Sequence, residues 1–141
     1  MNNENGLETI LDYLTSVPAW YLATVDGEGQ PHVRPFSFAE IQDGRLWFCT
    51  STEKDVYREL QRNPRFEATA WKTGYGWVIL RGRADLEDRA SESMRRNGFE
   101  HMVALGESWE SADDARLTFF SVADPQAWIC DIDGSWNPVA L

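Results

Sequence analysis

Hydrophobic positions recur along the chain at two different periods. Near its start the apolar residues follow helical spacing: Leu7, Ile10, Leu11 and Leu14. This spacing predicts an amphipathic helix over residues 5–16 that ends before Pro18. Residues 53–63 and 88–105 are also helical in pattern, and the second of these is predicted to be interrupted at Gly98.

Between these helices the hydrophobic period changes to two, which is typical of β-strands. The predicted strands cover residues 20–25, 32–39, 46–50, 66–71, 77–86, 117–122 and 127–132. We expect the first three to form an antiparallel meander, and Asp124-Pro125 to separate the last two. Because a closed sheet leaves few unpaired strand edges, six or seven short strands favour a barrel. We therefore predict a mainly β protein with a single domain over residues 1–141.

The amino-acid composition argues against several classes of binding partner. A net charge of −10 argues against nucleic acid and anionic membranes, because both require dense Lys and Arg. No apolar run approaches the roughly 18 residues of a membrane span, and residues 1–9 lack the pattern of a signal peptide, so we expect a cytoplasmic protein. Cys49 and Cys130 lie in apolar runs and are predicted to be buried and reduced. His32 and His101 stand apart from other metal ligands, so no metal site is predicted.

One candidate phosphate site lies where a strand is predicted to end and a helix to begin, at residues 50–55. Two pairs there have the spacing of a capping box: Thr50 with Glu53, and Thr52 with Asp55. Free backbone amides and the helix dipole favour an anion at such a start. One face of the predicted helix also carries a basic stripe, Lys54, Arg58 and Arg62. Phosphate binding and an ordinary solvated helix face both remain open interpretations.

A second candidate is Arg34, which lies in a predicted strand directly before Pro35. Proline cannot donate a ladder hydrogen bond, so it marks an edge strand or an irregular site whose free backbone could bind a ligand ring. The chain also has seven tryptophans, more than a core of this size requires. Some are therefore expected to line a site or an interface. Trp109, in an acidic stretch, is expected to be exposed.

Taken together, five segments resemble the pyridoxamine 5′-phosphate oxidase-like family of FMN-binding split barrels. They are residues 29–36, 46–51, 54–60, 63–67 and 76–82. The resemblance covers about residues 6–86, and the rest of the chain fits only loosely. It implies an antiparallel split β-barrel that works as a homodimer, with two FMN molecules at the interface.

The resemblance also implies the cofactor contacts. The flavin ring would lie against the strand backbone at Arg34, Pro35 and Phe36. The phosphate would meet Thr50, Ser51, Thr52 and Lys54, and Trp77 or Trp128 would approach the cofactor of the partner chain. The implied activity is that of a flavin-dependent oxidoreductase acting on an unknown small substrate, with NAD(P)H as a candidate electron donor. No catalytic residue is identified.

Two positions depart from the family pattern. Val56 stands where relatives often carry a basic residue, which leaves the phosphate to Lys54 and the hydroxyl groups. Residues 131–136 are acidic, whereas true pyridoxamine 5′-phosphate oxidases end in a basic motif that holds the vitamer. We therefore do not predict vitamin B6 oxidation. Two alternatives stay open: a non-catalytic flavin carrier or sensor, and a barrel that binds haem or a deazaflavin.

Overall fold

A computed structural model describes residues 4–141 of the chain. In chain order its elements are α1 (Glu4–Thr15), β1 (Trp20–Val25), β2 (Pro31–Phe36), β3 (Glu40–Gln42), β4 (Arg45–Ser51), α2 (Asp55–Arg62), β5 (Arg65–Lys72), β6 (Gly76–Asp85), α3 (Glu92–Ala104), β7 (Leu117–Cys130) and β8 (Trp136–Val139). All strands pair antiparallel in one sheet of order β2-β1-β5-β6-β7-β4-β3, and β8 also pairs with β7. The prediction of a mainly β, split-barrel-like fold is confirmed, with eight strands in the described residues rather than six or seven.

The core lies inside the curved sheet, where alternate strand residues meet. Trp20 and Phe48 contact each other there with ring centroids 4.5 Å apart. The apolar faces of α1 and α2 complete this core, and α2 contributes Val56 and Leu60. The apolar residues at helical spacing in α1 and α2 and the alternate, inward-facing residues of the strands are therefore buried in one core. This packing fixes the start of α2 against the ends of the strands.

A second, smaller core lies beneath α3. Met94 and Met102 of this helix pack with Phe119 of β7 and with Trp109. The expectation that Trp109 is exposed is wrong, since only 6% of it remains accessible. Its acidic neighbours face solvent, while the indole closes the apolar space under α3. Local charge therefore gave a misleading indication of burial at this position.

The last two predicted strands are a single strand, β7, so the predicted separation at Asp124-Pro125 is wrong. Opposite Asp124 and Pro125, the pairing register of β6 with β7 shifts between Arg81 and Arg83. Asp124 itself has φ of +50°. This is a β-bulge, which bends a strand without reversing the chain. Proline is tolerated at a bulge because no ladder donor is required there.

The predicted meander of three strands is only partly confirmed: β1 pairs antiparallel with β2, but β2 does not pair with the third predicted strand. Strand β2 ends at Phe36, and residues 37–39 lead into the separate short strand β3. Strand β2 pairs only with β1, whereas β4 pairs with β3 and β7. Strand β8 was not predicted at all. Hairpin signals identify neighbouring strands in the chain, but they do not decide which distant strand completes the sheet.

Gly98 does not interrupt α3. It is buried, and a Cβ atom placed on it would overlap the ring of Phe119. Glycine therefore permits a close approach between the helix and β7 instead of breaking the helix. Cys49 and Cys130 are free and buried, as predicted. None of the helices in residues 4–141 is long and apolar enough to cross a membrane.

Candidate functional site

A cavity of about 280 Å³ lies between the end of β2, the end of β4, the start of α2 and the end of α3. Its lining residues are Arg34, Pro35, Phe36, Ser37, Phe38, Cys49, Thr50, Lys54, Val56, Met102 and Leu105. Five of the nine predicted cofactor-binding residues are among them: Arg34, Pro35, Phe36, Thr50 and Lys54. The fold thus brings the two segments that the sequence singled out into one site.

Strand β2 forms one wall of the cavity and is an edge strand, as Pro35 predicted. It pairs with β1 along its whole length, with Phe36 opposite Trp20 and Pro35 opposite Tyr21. No other strand of the described chain pairs with β2. The backbone groups on its outer edge therefore lack a sheet partner, and a bound ligand could use them.

The side chain of Arg34 points toward α2. Its guanidinium donates to Thr24 Oγ1 at 2.6 Å and to Glu59 Oε1 at 3.4 Å, and Thr24 donates to the same carboxylate oxygen at 2.7 Å. Both charged side chains are largely buried. Arg34 therefore ties β2 to α2 and places its guanidinium group at the cavity wall, where the Glu59 carboxylate compensates its charge and part of its hydrogen-bonding capacity is already used.

The start of α2 differs from its prediction. Lys54 is the N-cap residue, its side chain makes no capping bond, and the helix begins at Asp55. Both predicted capping boxes are wrong because residues 51–54 form their own turn. Within it the Lys54 amide donates to the Ser51 carbonyl at 3.1 Å, and the Glu53 amide donates to Ser51 Oγ at 3.2 Å. The first turn of α2 is thus left without a side-chain cap. The Tyr57 amide donates to the Lys54 carbonyl at 3.1 Å, which leaves the amides of Asp55 and Val56 for an anion.

The predicted basic stripe divides into separate contacts. Lys54 Nζ lies 3.1 Å from Glu107 Oε1, in the segment after α3. Arg58 pairs with Asp55 of its own helix, and Arg62 extends over the β1–β2 turn at Gly27. Only Lys54 of the three lines the cavity. Arg58 and Arg62 therefore belong to an ordinary solvated helix face. Of the three residues, Lys54 remains the candidate for phosphate binding.

Thr50 contributes the hydroxyl group on the cavity wall. The residue is only 2% exposed, and its hydroxyl makes no hydrogen bond to any described residue. Ser51 and Thr52 flank the cavity without lining it, and the Thr52 amide donates to the Arg116 carbonyl at 2.9 Å. Burial raises the pKa of the neighbouring Cys49 thiol to about 12, so this thiol is a neutral wall group.

Trp77 and Trp128 do not line the cavity of their own chain. They lie on the outer surface of β6 and β7, where Trp77 stacks on Trp71 with ring centroids 5.8 Å apart. Trp128 contacts Trp136 at 5.9 Å, and the guanidinium of Arg81 lies 4.9 Å from its ring centroid. These two predicted cofactor-binding residues therefore lie outside the cavity of their own chain.

Sequence reasoning missed the groups that α3 brings to the cavity. Ser37 Oγ lies 2.6 Å from His101 Nε2, and Met102 and Leu105 cover the same side. Ser37 and His101 are 64 residues apart, and no motif links them. His101, which looked isolated in the sequence, therefore joins α3 to the end of β2. Groups of three or more His, Cys, Asp or Glu residues that could hold a metal ion do not occur among the described residues.

Comparisons with known proteins identify the family to which this fold belongs. The family model for pyridoxamine 5′-phosphate oxidase matches residues 7–128. No curated protein sequence matches the chain. Among solved structures, a NimC/NimA family protein from Clostridium acetobutylicum is 24% identical, with a TM-score of 0.82 over 99% of this chain and 94% of that one.

Two further solved structures share the fold at lower identity. A pyridoxamine 5′-phosphate oxidase-related, FMN-binding protein from Nostoc punctiforme is 12% identical, covering 100% of this chain and 97% of that one with a TM-score of 0.59. A haem-binding protein from Mycobacterium smegmatis is 17% identical, covering 99% of this chain and 58% of that one with a TM-score of 0.67. Because the family model spans most of the split barrel and its candidate cavity, the chain belongs to the pyridoxamine 5′-phosphate oxidase family.

Proposed function

We propose that this protein binds FMN in the cavity between β2 and α2. The ring would lie against the strand at Arg34, Pro35 and Phe36, and the phosphate would lie at the start of α2 beside Lys54. The observation that carries the proposal is the meeting, in one cavity, of an unpaired strand edge and an uncapped helix start. These features offer backbone donors to a ring and to a phosphate respectively.

The lining of the cavity fits the chemistry of FMN. Phe36, Phe38 and Met102 provide apolar surface for a planar ring, Lys54 provides a cation, and the Thr50 hydroxyl has no partner among the described residues. The volume, about 280 Å³, is near the lower limit of about 300 Å³ for ligand pockets. A single chain would therefore enclose only part of a flavin, which supports a site completed by a second chain.

We propose a homodimer for that reason. The outer face of the sheet carries an aromatic surface, which we call the aromatic face: Tyr21, Trp71, Trp77, Ile79, Trp128 and Trp136. Its members follow one another across neighbouring strands, with Trp71 opposite Trp77 and Ile79 opposite Trp128. A contiguous surface rich in aromatic side chains is characteristic of protein interfaces. Partner-chain contact between Trp77 or Trp128 and the flavin would follow from pairing through this face.

The proposed activity is that of a flavin-dependent oxidoreductase on a small substrate, with NAD(P)H as a candidate donor. Bound FMN would supply the electron-transfer chemistry, and the protein would supply position and electrostatics. Phe38 and Met102 give the cavity an apolar wall, while Lys54 and Arg34 place cationic groups beside it. The acidic segment 131–136 supports a substrate other than the phosphorylated B6 vitamers. We propose that the protein works in the cytoplasm, in keeping with its net charge and cysteine content.

The first test is the colour of the purified protein. We expect a yellow protein with absorption bands at about 370 and 450 nm, from which heating releases FMN. Mass spectrometry of the released molecule identifies it. A colourless protein that takes up no added FMN would overturn the proposal.

The same spectrum discriminates a second candidate. The structural similarity to a haem-binding protein favours haem as the alternative ligand, and haem would give one intense band near 400 nm rather than two flavin bands. A deazaflavin would lack the 450 nm flavin band. A non-catalytic flavin carrier would be yellow but would not consume NAD(P)H steadily when an electron acceptor is added.

The dimer is tested by light scattering of the FMN-bound protein at micromolar concentration. We expect twice the chain mass of 16.1 kDa. Trp77→Ala and Trp128→Ala should weaken dimerisation or FMN binding, because each removes a large aromatic contact from the proposed interface. Val103→Ala, on the exposed side of α3, is the control and should change neither. A monomeric mass with FMN bound would contradict the proposed assembly.

A further inference from the structure

A second cavity, of about 510 Å³, lies away from the candidate cofactor site. It is a groove lined by residues of β1, β2, β5, β6 and β7, and it shares no lining residue with the first cavity. Val25, Pro31 and Phe66 contribute apolar surface to it, while Arg65 and Arg83 contribute cations. We call it the outer groove.

The β6–β7 bulge is part of the wall of the outer groove. Between Arg81 and Arg83 the pairing of the two strands is interrupted, and Gly82 and Asp124 from the interruption line the groove. A Cβ atom on Gly82 would lie 2.5 Å from Val122 Cγ1, so the close approach of β6 to β7 at this point requires glycine. The concavity therefore arises from the backbone path. Bulges of this kind occur preferentially beside functional sites.

Arg65 and Arg83 are the unusual feature of the groove. They lie directly opposite each other on β5 and β6, and both are exposed. Like charges in this arrangement destabilise a sheet. Nine of the thirteen Lys and Arg side chains, all within the described residues, form an ion pair. These two guanidinium groups do not, although the chain has 23 acidic residues.

The charges of the neighbouring residues determine how much unpaired positive charge the groove offers to a ligand. Arg81 is already paired with Glu67 and lies over Trp128. Asp124 also lines the groove and offsets one of the two remaining arginines. The lining thus keeps one net positive charge, which suits a monoanion better than a phosphate dianion. The planar fork of arginine matches the two oxygens of a carboxylate.

We propose that the outer groove binds a small carboxylate with an apolar body. The carboxylate would lie between Arg65 and Arg83, where it relieves their mutual repulsion. The apolar body would lie along Val25, Pro31 and Phe66. The groove shares no lining residue with the cofactor cavity of its own chain, and it borders the aromatic face, because Arg81 lies over Trp128.

Benzoate is the probe, and isothermal titration of the full-length protein as purified is the measurement. Acetate lacks the apolar body and benzamide lacks the charge, so both should bind at least tenfold more weakly than benzoate. Arg65→Gln and Arg83→Gln should each weaken benzoate about tenfold, because each removes a charge-assisted hydrogen-bond donor. Arg96→Gln is the matched control, since Arg96 is an exposed arginine without an ion pair on α3, and it should leave binding unchanged.

The following outcomes would overturn the proposal. Benzoate that shows no saturable binding below about 10 mM, or that binds no better than benzamide, excludes a carboxylate site. Equal losses in Arg96→Gln and Arg83→Gln would show a non-specific charge effect. Thermal denaturation checks folding, and neither groove variant should lower the melting temperature, because each removes one member of a like-charge pair. FMN affinity is measured on the same variants and should not change, so this test is separate from that of the proposed cofactor.

Discussion

Lys54→Ala is expected to weaken FMN binding about ten- to hundredfold and to leave riboflavin binding almost unchanged. A hydrogen bond between a cation and a phosphate contributes about 1.5–3 kcal/mol, which corresponds to this range of affinity. Riboflavin carries the same ring without the phosphate, so it reports damage to the ring site or to folding. Fluorescence quenching of both ligands on the wild-type and variant proteins measures the difference.

Glu107 provides the matched second arm of this experiment. Its carboxylate lies 3.1 Å from Lys54 Nζ and would compete with a phosphate for the ammonium group. Both side chains are partly exposed, so the interaction between Lys54 and Glu107 has a free energy of only about 0.2–1 kcal/mol. Glu107→Gln should therefore raise FMN affinity by about two- to fivefold, again without an effect on riboflavin. If Lys54→Ala weakens both ligands equally at an unchanged melting temperature, Lys54 does not contact the phosphate, and Arg34 becomes the principal candidate.

Gly76→Ala is expected to destabilise the protein by about 2–5 kcal/mol. Gly76 has φ of +106°, and a Cβ atom on it would overlap the carbonyl oxygen of Cys130 on the neighbouring strand. The positive φ costs a non-glycine residue about 1–2 kcal/mol, and the overlap of the added Cβ atom with the Cys130 carbonyl adds about 1–3 kcal/mol. Because Gly76 is the first residue of β6, the change would also displace Trp77 and the aromatic face.

Gly74→Ala separates the two contributions. Gly74 lies in the same turn with φ of +85°, but a Cβ atom on it would meet no atom within 4 Å. Only the backbone strain applies there, so the expected loss is about 1–2 kcal/mol. Urea denaturation of the wild-type protein and both variants measures the free energies of unfolding. Equal losses for the two variants would contradict the proposed clash with β7.

Much of the fold could be predicted from the sequence because its signals are local. The spacing of Leu7, Ile10 and Leu14 identifies α1, and the bounds of β1 are found as predicted. Alternation between inward and outward positions is a property of each strand by itself, so a mainly β barrel follows from counting strands and turns. Local signals also identified Pro35 as an edge marker and residues 50–55 as the start of a helix.

Contacts between residues far apart in the chain decided the rest. The bulge at Asp124 depends on the partner strand β6, and the burial of Trp109 depends on α3 and Phe119. Capping spacing alone misplaced the start of α2, because residues 51–54 form a turn that the pattern of side chains does not encode.

The candidate site divides in the same way. By itself the sequence determined which segments carry its chemistry: a strand with a free edge at Arg34-Pro35 and a helix start at Lys54. Only the tertiary structure decided that Arg34 turns toward Glu59, that Lys54 meets Glu107, and that Trp77 faces away from its own cavity. The physical reason is that a side chain's direction and partner are set by packing and charge in space, and a one-dimensional pattern records neither.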